Sequence, residues 1–432
     1  MRGNQLPLLK TTIPGPRSRA LARQLHRYES RNVTYVSDRW PIFWEHAAGT
    51  NVWDVDGNRY IDLTAGFGVA SVGHTNPRVA AAVRTQAAKL MHAMGDVHPN
   101  ELKVKLAREL VTLTFGRWSK SQARVIFANS GAEAIEAALK TAAIHTNRPG
   151  VIAFEGAYHG LTYGALDVTW RADFRAPFTK QLGHFTAHIP YGKLPVGRAV
   201  PARRGARPRG RLGQPSLPQP IAHYGAVLVE PIQGRGGMVV PPDHFLPKLR
   251  TFCDRHGLVL IFDEIYTGFC RTGRWFACEH WNVVPDIICV GKGMTGGFPM
   301  SACIGRADVM DSWPVSKGEA IHTSTFLGNP LGCAAALAAI GEMKRMKLDT
   351  QSAATGKHLT EALGHLGTVR GKGLMLGCEC VTAVKACEQL LQRGIIAIPE
   401  GARSEVLGLT PPLTITKRQL AYCIDVLREL LA

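Results

Sequence analysis

The chain has no run approaching the roughly 20 apolar residues that a membrane-spanning helix needs. Its opening, Met1 to Pro7, lacks the apolar core of a secretory leader. Both absences predict a cytoplasmic protein with no membrane partner. Its ten cysteines include no C-x-x-C pair, and only Cys378 and Cys380 stand close together, so neither a metal site nor a disulfide framework is expected. Acidic residues are absent from Phe174 to Val229, whereas Lys193, Arg198, Arg203, Arg204, Arg207, Arg209 and Arg211 fall in a stretch rich in proline and glycine. This stretch, about 192–222, is expected to be a flexible basic surface insert. It also lacks interleaved aromatics to stack on bases, so the net charge of +18 does not make this a nucleic-acid-binding protein. A second cluster, Arg17, Arg19, Arg23, Arg27 and Arg31, reads as a solvated helix face. There are no internal repeats.

What is present is length and alternation. With 432 residues, 45% of them hydrophobic, the chain can bury a large core in more than one domain. Short β-branched runs alternate with helical patterns through its middle, the mark of an α/β fold with a mostly parallel sheet. Candidate strands are 124–127, 151–154, 226–229, 258–262 and 287–290. Nearer the N-terminus, Asn51 to Ile61 reads as a hairpin turning at Asp56-Gly57. The stretch from about Thr368 mixes short strands and helices. The expected division is an N-terminal segment over 1–64, a large domain over 65–328 and a C-terminal part over 329–432, with the two ends together forming a smaller α/β domain.

Each candidate strand ends in a polar or glycine-rich segment, where open α/β sheets bind ligands. Ser130-Gly131-Ala132 opens a helix whose first N–H groups can cradle a phosphate, although any well-capped helix offers the same pattern. Tyr158 can stack on a ring or simply pack. Asp263 can face a ring nitrogen or cap a turn, and Lys292, between Gly291 and Gly293, can hold an aldehyde or face water. Taken together and in this order, a phosphate cradle, an aromatic platform, an acid and a lysine complement pyridoxal 5′-phosphate.

These segments carry a resemblance. Asn129-Ser130-Gly131-Ala132-Glu133-Ala134, Tyr158-His159-Gly160, Glu230-Pro231-Ile232-Gln233-Gly234, Asp263 to Phe269, Gly291-Lys292-Gly293 and His322 to Pro330 resemble the motifs of the class III, or ω-, aminotransferases of the fold-type I pyridoxal-phosphate superfamily. They follow the family order across roughly residues 40–415. The resemblance implies that Lys292 holds the cofactor aldehyde and carries a proton in the reaction, and that Asp263 keeps the pyridine nitrogen protonated. It sets Ser130, Gly131 and Ala132 at the phosphate, Tyr158 and Ile265 on opposite ring faces, and His159, Glu230 and Tyr266 within the same motifs. Thr325 is implied to reach the phosphate of a neighbouring copy, which makes the protein a homodimer. Many relatives carry glutamine where Tyr266 stands, so a hydrogen bond to the ring hydroxyl comes from this phenol or is absent.

Three substrate-side positions depart from the family pattern. The arginine expected four residues before Pro412 is Gly408, an arginine often found after Tyr-His-Gly is Leu161, and the glutamate that pairs with the first arginine is Arg235. Arg235 therefore either grips a keto-acid carboxylate or meets solvent or a neighbouring carboxylate instead. Trp44, Phe67 and Met94 are candidate pocket walls, with core packing as the alternative for each. The expected activity moves an amino group from an amine or ω-amino donor to a keto acid by a ping-pong mechanism. The alternative is a racemase, epimerase or aminomutase of the same family.

Overall fold

The computed structural model describes residues 3–37, 39–195, 217–365, 367–380 and 382–431. Most of the basic insert expected at about 192–222 lies outside the described residues. In the second basic cluster, the helix Pro16–Tyr28 points Arg17, Arg19, Arg23 and Arg27 to solvent, and Arg31 is exposed beyond its end. The helix starts with proline at its first position and hangs on Asp56, whose carboxylate accepts hydrogen bonds from the Arg17 and Ser18 amides and from Ser18 Oγ.

Strands β1 (Trp44–Ala48), β2 (Asn51–Asp54) and β3 (Arg59–Asp62) form an antiparallel meander. Its second turn lies where Asp56-Gly57 predicts it, with Gly57 at φ +81°, a conformation glycine adopts without steric cost.

The middle of the chain builds one seven-stranded sheet. Its members are β4 (Ala123–Ala128), β5 (Gly150–Phe154), β6 (Thr186–Ile189), β7 (Tyr224–Val229), β8 (Val259–Asp263), β9 (Ile287–Val290) and β10 (Ser301–Arg306). They lie in the order β4-β10-β9-β8-β7-β5-β6. All pairings are parallel except those of β10, which runs antiparallel to both neighbours. Every residue of β5, β7, β8 and β9 is buried, which is why these strands read as continuous apolar runs. On one face lies the alanine-rich helix Gly131–Thr146, whose Ala134, Ala137, Ala138 and Ala142 let it approach Val151, Ala226, Ile261 and Cys289. A larger core, including Phe127, Phe154, Phe262 and Ile304, fills the other face.

The helix Pro330–Met346 follows and packs on the helices Pro77–Lys89 and Glu101–Leu113. Beyond it come β11 (Val369–Lys372), β12 (Met375–Glu379), β13 (Ile395–Ile396), β14 (Ile398–Glu400) and β15 (Val406–Leu409). Four of these make the antiparallel sheet β11-β12-β15-β14, while β13 pairs in parallel with β3. The two ends of the chain thus share a sheet. The carboxyl ends of β4, β5, β7, β8 and β9 open onto one edge of the central sheet, and the β14–β15 hairpin stands close by, joined to it by a hydrogen bond from the Gly401 amide to the Arg235 carbonyl at 3.0 Å.

Candidate active site

At that edge lies a cavity of ≈ 480 Å³. Ser130, Gly131, Ala132, Tyr158, His159, Glu230, Arg235, Asp263, Ile265, Tyr266 and Lys292 all line it, so residues spread over more than 160 positions of sequence converge on one space.

The β4 end supplies the helix start. Ser130 caps it by accepting from the Glu133 amide, and Glu133 reaches back past the cap to accept from the Asn129 amide at 3.0 Å. The Gly131 and Ala132 amides occupy the first turn, where no intrahelical acceptor exists, and they have no partner among the described residues. Close packing at this corner leaves no room for a Cβ on either of two glycines. A Cβ on Gly131 would stand 2.9 Å from Ile265 Cδ1, and one on Gly160, at φ +127°, would stand 2.6 Å from Ala132 Cβ. Glu136, one turn into the helix, accepts from Thr162 Oγ1 and from the Gly164 and Ala165 amides, which fixes the loop after Tyr158-His159-Gly160 against the cradle.

The β8 end supplies Asp263. Its Oδ1 accepts from the Ile265 amide at 3.0 Å and its Oδ2 lies 2.7 Å from His159 Nδ1. An ionised carboxylate only accepts, so the imidazole donates from Nδ1 and Asp263 is oriented from two sides. His159 Nε2 is buried and has no partner among the described residues. From β7, Glu230 accepts from the Tyr158 amide at 3.0 Å and the Gly234 amide at 2.9 Å. Burial pushes its carboxyl up to about 7, with His159 opposing and Asp263 reinforcing the shift.

Lys292 follows β9 with φ +39°, a conformation that a side-chain-bearing residue adopts rarely and that clusters at functional sites. Desolvation lowers its ammonium below the ordinary lysine range, against the pull of Asp263, Glu230 and Glu400. Its Nζ sits 4.1 Å from the centre of the Tyr266 ring. That ring is held between Gly68 and Gly234, where an added Cβ would come within 2.5 Å of it on either side. The Tyr266 hydroxyl is 3.1 Å from Thr410 Oγ1.

On the substrate side, Arg235 lines the cavity and its Nη1 lies 3.2 Å from Glu400 Oε2. Of the sequence alternatives, the contact with a neighbouring carboxylate is the one the structure displays. Leu161 lines the cavity, while Trp44, Phe67 and Met94 are exposed and do not. Trp44 packs edge-on against His74, and Phe67 lies in a left-handed turn after β3 at φ +61°. Thr325 is exposed and outside this chain's cavity, on a loop tied to Asn129 by a hydrogen bond to Ser324 Oγ at 3.2 Å.

Sequence reasoning missed several neighbours. Glu400 sits in no motif, at the end of a three-residue strand. Phe174 meets the Tyr158 ring at 5.8 Å and carries the Arg171 guanidinium 4.6 Å from its own centre. Phe298, Pro299 and Met300 close the cavity beyond Lys292, and the glycines before them were the only available signal.

The donor set fits a phosphorylated pyridine aldehyde. The Gly131 and Ala132 amides suit an anion, Asp263 suits a protonated ring nitrogen, Tyr158 and Ile265 line the ring space, and Lys292 is a low-pKa amine. Comparison with known proteins points the same way. The family model for aminotransferase class-III matches residues 33–431. The chain is 37% identical to the acetylornithine aminotransferase of Methanosarcina mazei, covering 93% of this chain and 94% of that one. It is 36% identical to the 4-aminobutyrate aminotransferase of Mycobacterium leprae, covering 98% and 97%. A structure of the ornithine aminotransferase from Toxoplasma gondii, with PLP at partial occupancy in its active site, superposes with a TM-score of 0.81 at 29% identity, covering 96% and 94%.

Proposed function

This chain belongs to the class-III aminotransferases, and from that premise we propose that it moves an amino group from an amine or ω-amino donor to a keto acid, with its chemistry centred on Lys292. It is an aminotransferase of fold type I whose cofactor is pyridoxal 5′-phosphate. The observation that carries the assignment of residues is the meeting of Lys292, the Asp263–His159 pair and two free helix-start amides in one cavity.

When bound, the cofactor supplies an electron sink for a carbon that has lost a proton. The chain's residues do the rest. Lys292 would hold the cofactor through its aldehyde, and its amine, shifted by burial toward the neutral form, would move a proton at the donor's Cα. Asp263 keeps the proton on the ring nitrogen, and His159 keeps Asp263 aimed. The Gly131 and Ala132 amides, with the Ser130 cap behind them, fix the phosphate. Tyr158 and Ile265 confine the ring, while Tyr266 supports Lys292 and spends its hydroxyl on Thr410. Arg235 takes the carboxylate of the keto acid, and the lack of a second arginine at Gly408 or Leu161 favours a donor with little need of a carboxylate clamp.

The site is completed by a second copy, with Thr325 of one subunit at the phosphate of the other. Support comes from the exposure of Thr325 on a loop where Ile321 and Phe326 are also exposed. The large cofactor-binding part runs over 65–328 and the smaller part joins 1–64 to 329–432, a division supported by the β3–β13 pairing. No helix among the described residues is long and apolar enough to cross a membrane. The ten unpaired thiols favour a reducing, cytoplasmic setting.

Incubating the holoenzyme with single amine donors and no keto acid tests the reaction. Conversion of the cofactor absorbance to that of its amino form is expected, and loss of a donor's optical activity without that change would indicate racemisation. Arg235→Ala is expected to raise KM for the keto acid several-fold or more and to leave the amine half-reaction unchanged.

A further inference from the structure

Glu400 ends β14 with its side chain wholly removed from solvent. Its cationic partner is Arg235 at 3.2 Å, and neither carboxylate oxygen receives an aligned hydrogen bond from the described residues. A buried carboxylate held by a single loose ion pair depends heavily on that partner. Gly408, across the hairpin on β15, explains why Glu400 can be there. A Cβ at 408 would stand 2.9 Å from Glu400 Cγ, so the space where an arginine was expected is filled by this glutamate. The two members of the pair differ in freedom. Glu400 is enclosed, whereas the Arg235 side chain remains 31% exposed and lines the cavity shared with Lys292. Their backbones are tied by the hydrogen bond from the Gly401 amide to the Arg235 carbonyl, so the guanidinium can leave without the loop moving.

We propose that Glu400 is the resting partner of Arg235, and that a substrate carboxylate draws the guanidinium away while Glu400 takes up one proton from solvent. An amine donor without a carboxylate leaves the pair closed and binds without that proton. The proposal rests on the aminotransferase reading and adds a specificity-determining residue to it.

The groups facing Glu400 act in both directions. Arg235, Arg171 and Lys292 favour its charged form, Glu230 opposes it, and the Tyr266 phenol and Cys387 thiol nearby are themselves pushed upward by burial and remain neutral. Burial already lifts Glu400 to about 7 with Arg235 in place, so departure of Arg235 lifts it further. Below that value Glu400 is protonated before the acceptor arrives and Arg235 is free. Above it, each carboxylate that binds must bring a proton. Acceptor affinity therefore falls as pH rises through neutrality, by up to about tenfold per pH unit.

The test is titration calorimetry of the aldehyde form of the holoenzyme with 2-oxoglutarate, a keto acid that has no amino group to exchange with that form. Running it in phosphate and in Tris, whose ionisation enthalpies differ, counts the protons taken up. The expected result is close to one proton at about pH 8 and close to none at about pH 6. Glu400→Gln is expected to bind 2-oxoglutarate without proton uptake at either pH, with the affinity at the higher pH raised to the wild-type value at the lower one. Binding by the wild type at the higher pH without proton uptake would overturn the proposal, and so would an unaltered pH dependence in Glu400→Gln or the absence of any 2-oxoglutarate binding. The wild-type series decides the matter even if the variant does not fold. Donor-driven change of the cofactor absorbance in the same preparation separates failure of this coupling from failure of the aminotransferase reading.

Discussion

Asp263 shows how much of this site is orientation. Its two oxygens are committed to the Ile265 amide and the His159 ring before any ligand is considered, which leaves the carboxylate fixed in direction. Removing the charge while keeping the shape, as in Asp263→Asn, is expected to lower kcat by about 10²-fold or more with a much smaller change in KM, because such preorganised charge acts mainly on the transition state. Steady-state kinetics on cofactor-saturated enzyme checks this. Asp263 and Lys292 were legible from sequence because each ends an apolar strand in a polar segment. Glu400 was not, because nothing in Ile398-Pro399-Glu400 distinguishes a buried carboxylate from a surface one until β14 is folded against β15. The same limit applied to Tyr266: its place in the motif was evident, but the choice of Thr410 as its hydrogen-bond partner depends on a segment 144 residues away.

At the scale of elements, the helix Gly131–Thr146 presents its start to the cavity because β4 ends at Ala128 and Ser130 caps it. Its position depends on a glycine in the facing loop, since Gly160 combines φ +127° with a location where a Cβ would stand 2.6 Å from Ala132 Cβ. Gly160→Ala is expected to destabilise the protein by about 1–3 kcal/mol and to weaken cofactor retention, because relieving the contact moves the cradle. Thermal denaturation and the cofactor content after dialysis measure the two effects separately. The strands that sequence reasoning found, β4, β5, β7, β8 and β9, are those with unbroken apolar runs. It missed β6 and β10, where Thr-Ala-His-Ile and Ser-Ala-Cys-Ile-Gly-Arg are short and rich in small or polar residues. These strands owe their conformation to their neighbours, β10 to β4 and β9 and β6 to β5.

For the whole molecule, β3 and β13 share one sheet, which brings the two ends of the chain together. Homodimer formation is a prediction at this scale. Sedimentation of the holoenzyme is expected to give a mass near twice the 46.9 kDa of the chain or a higher even multiple, and a monomer would leave Thr325 without a role.

The most direct measurement is the covalent address of the cofactor. After reduction of the holoenzyme with borohydride and proteolysis, mass spectrometry is predicted to find the phosphopyridoxyl group on the peptide containing Lys292, and Lys292→Ala is predicted to show no such label and no turnover. Label on another lysine, or an unlabelled Lys292 in an active enzyme, would contradict the assignment of this cavity as the catalytic site.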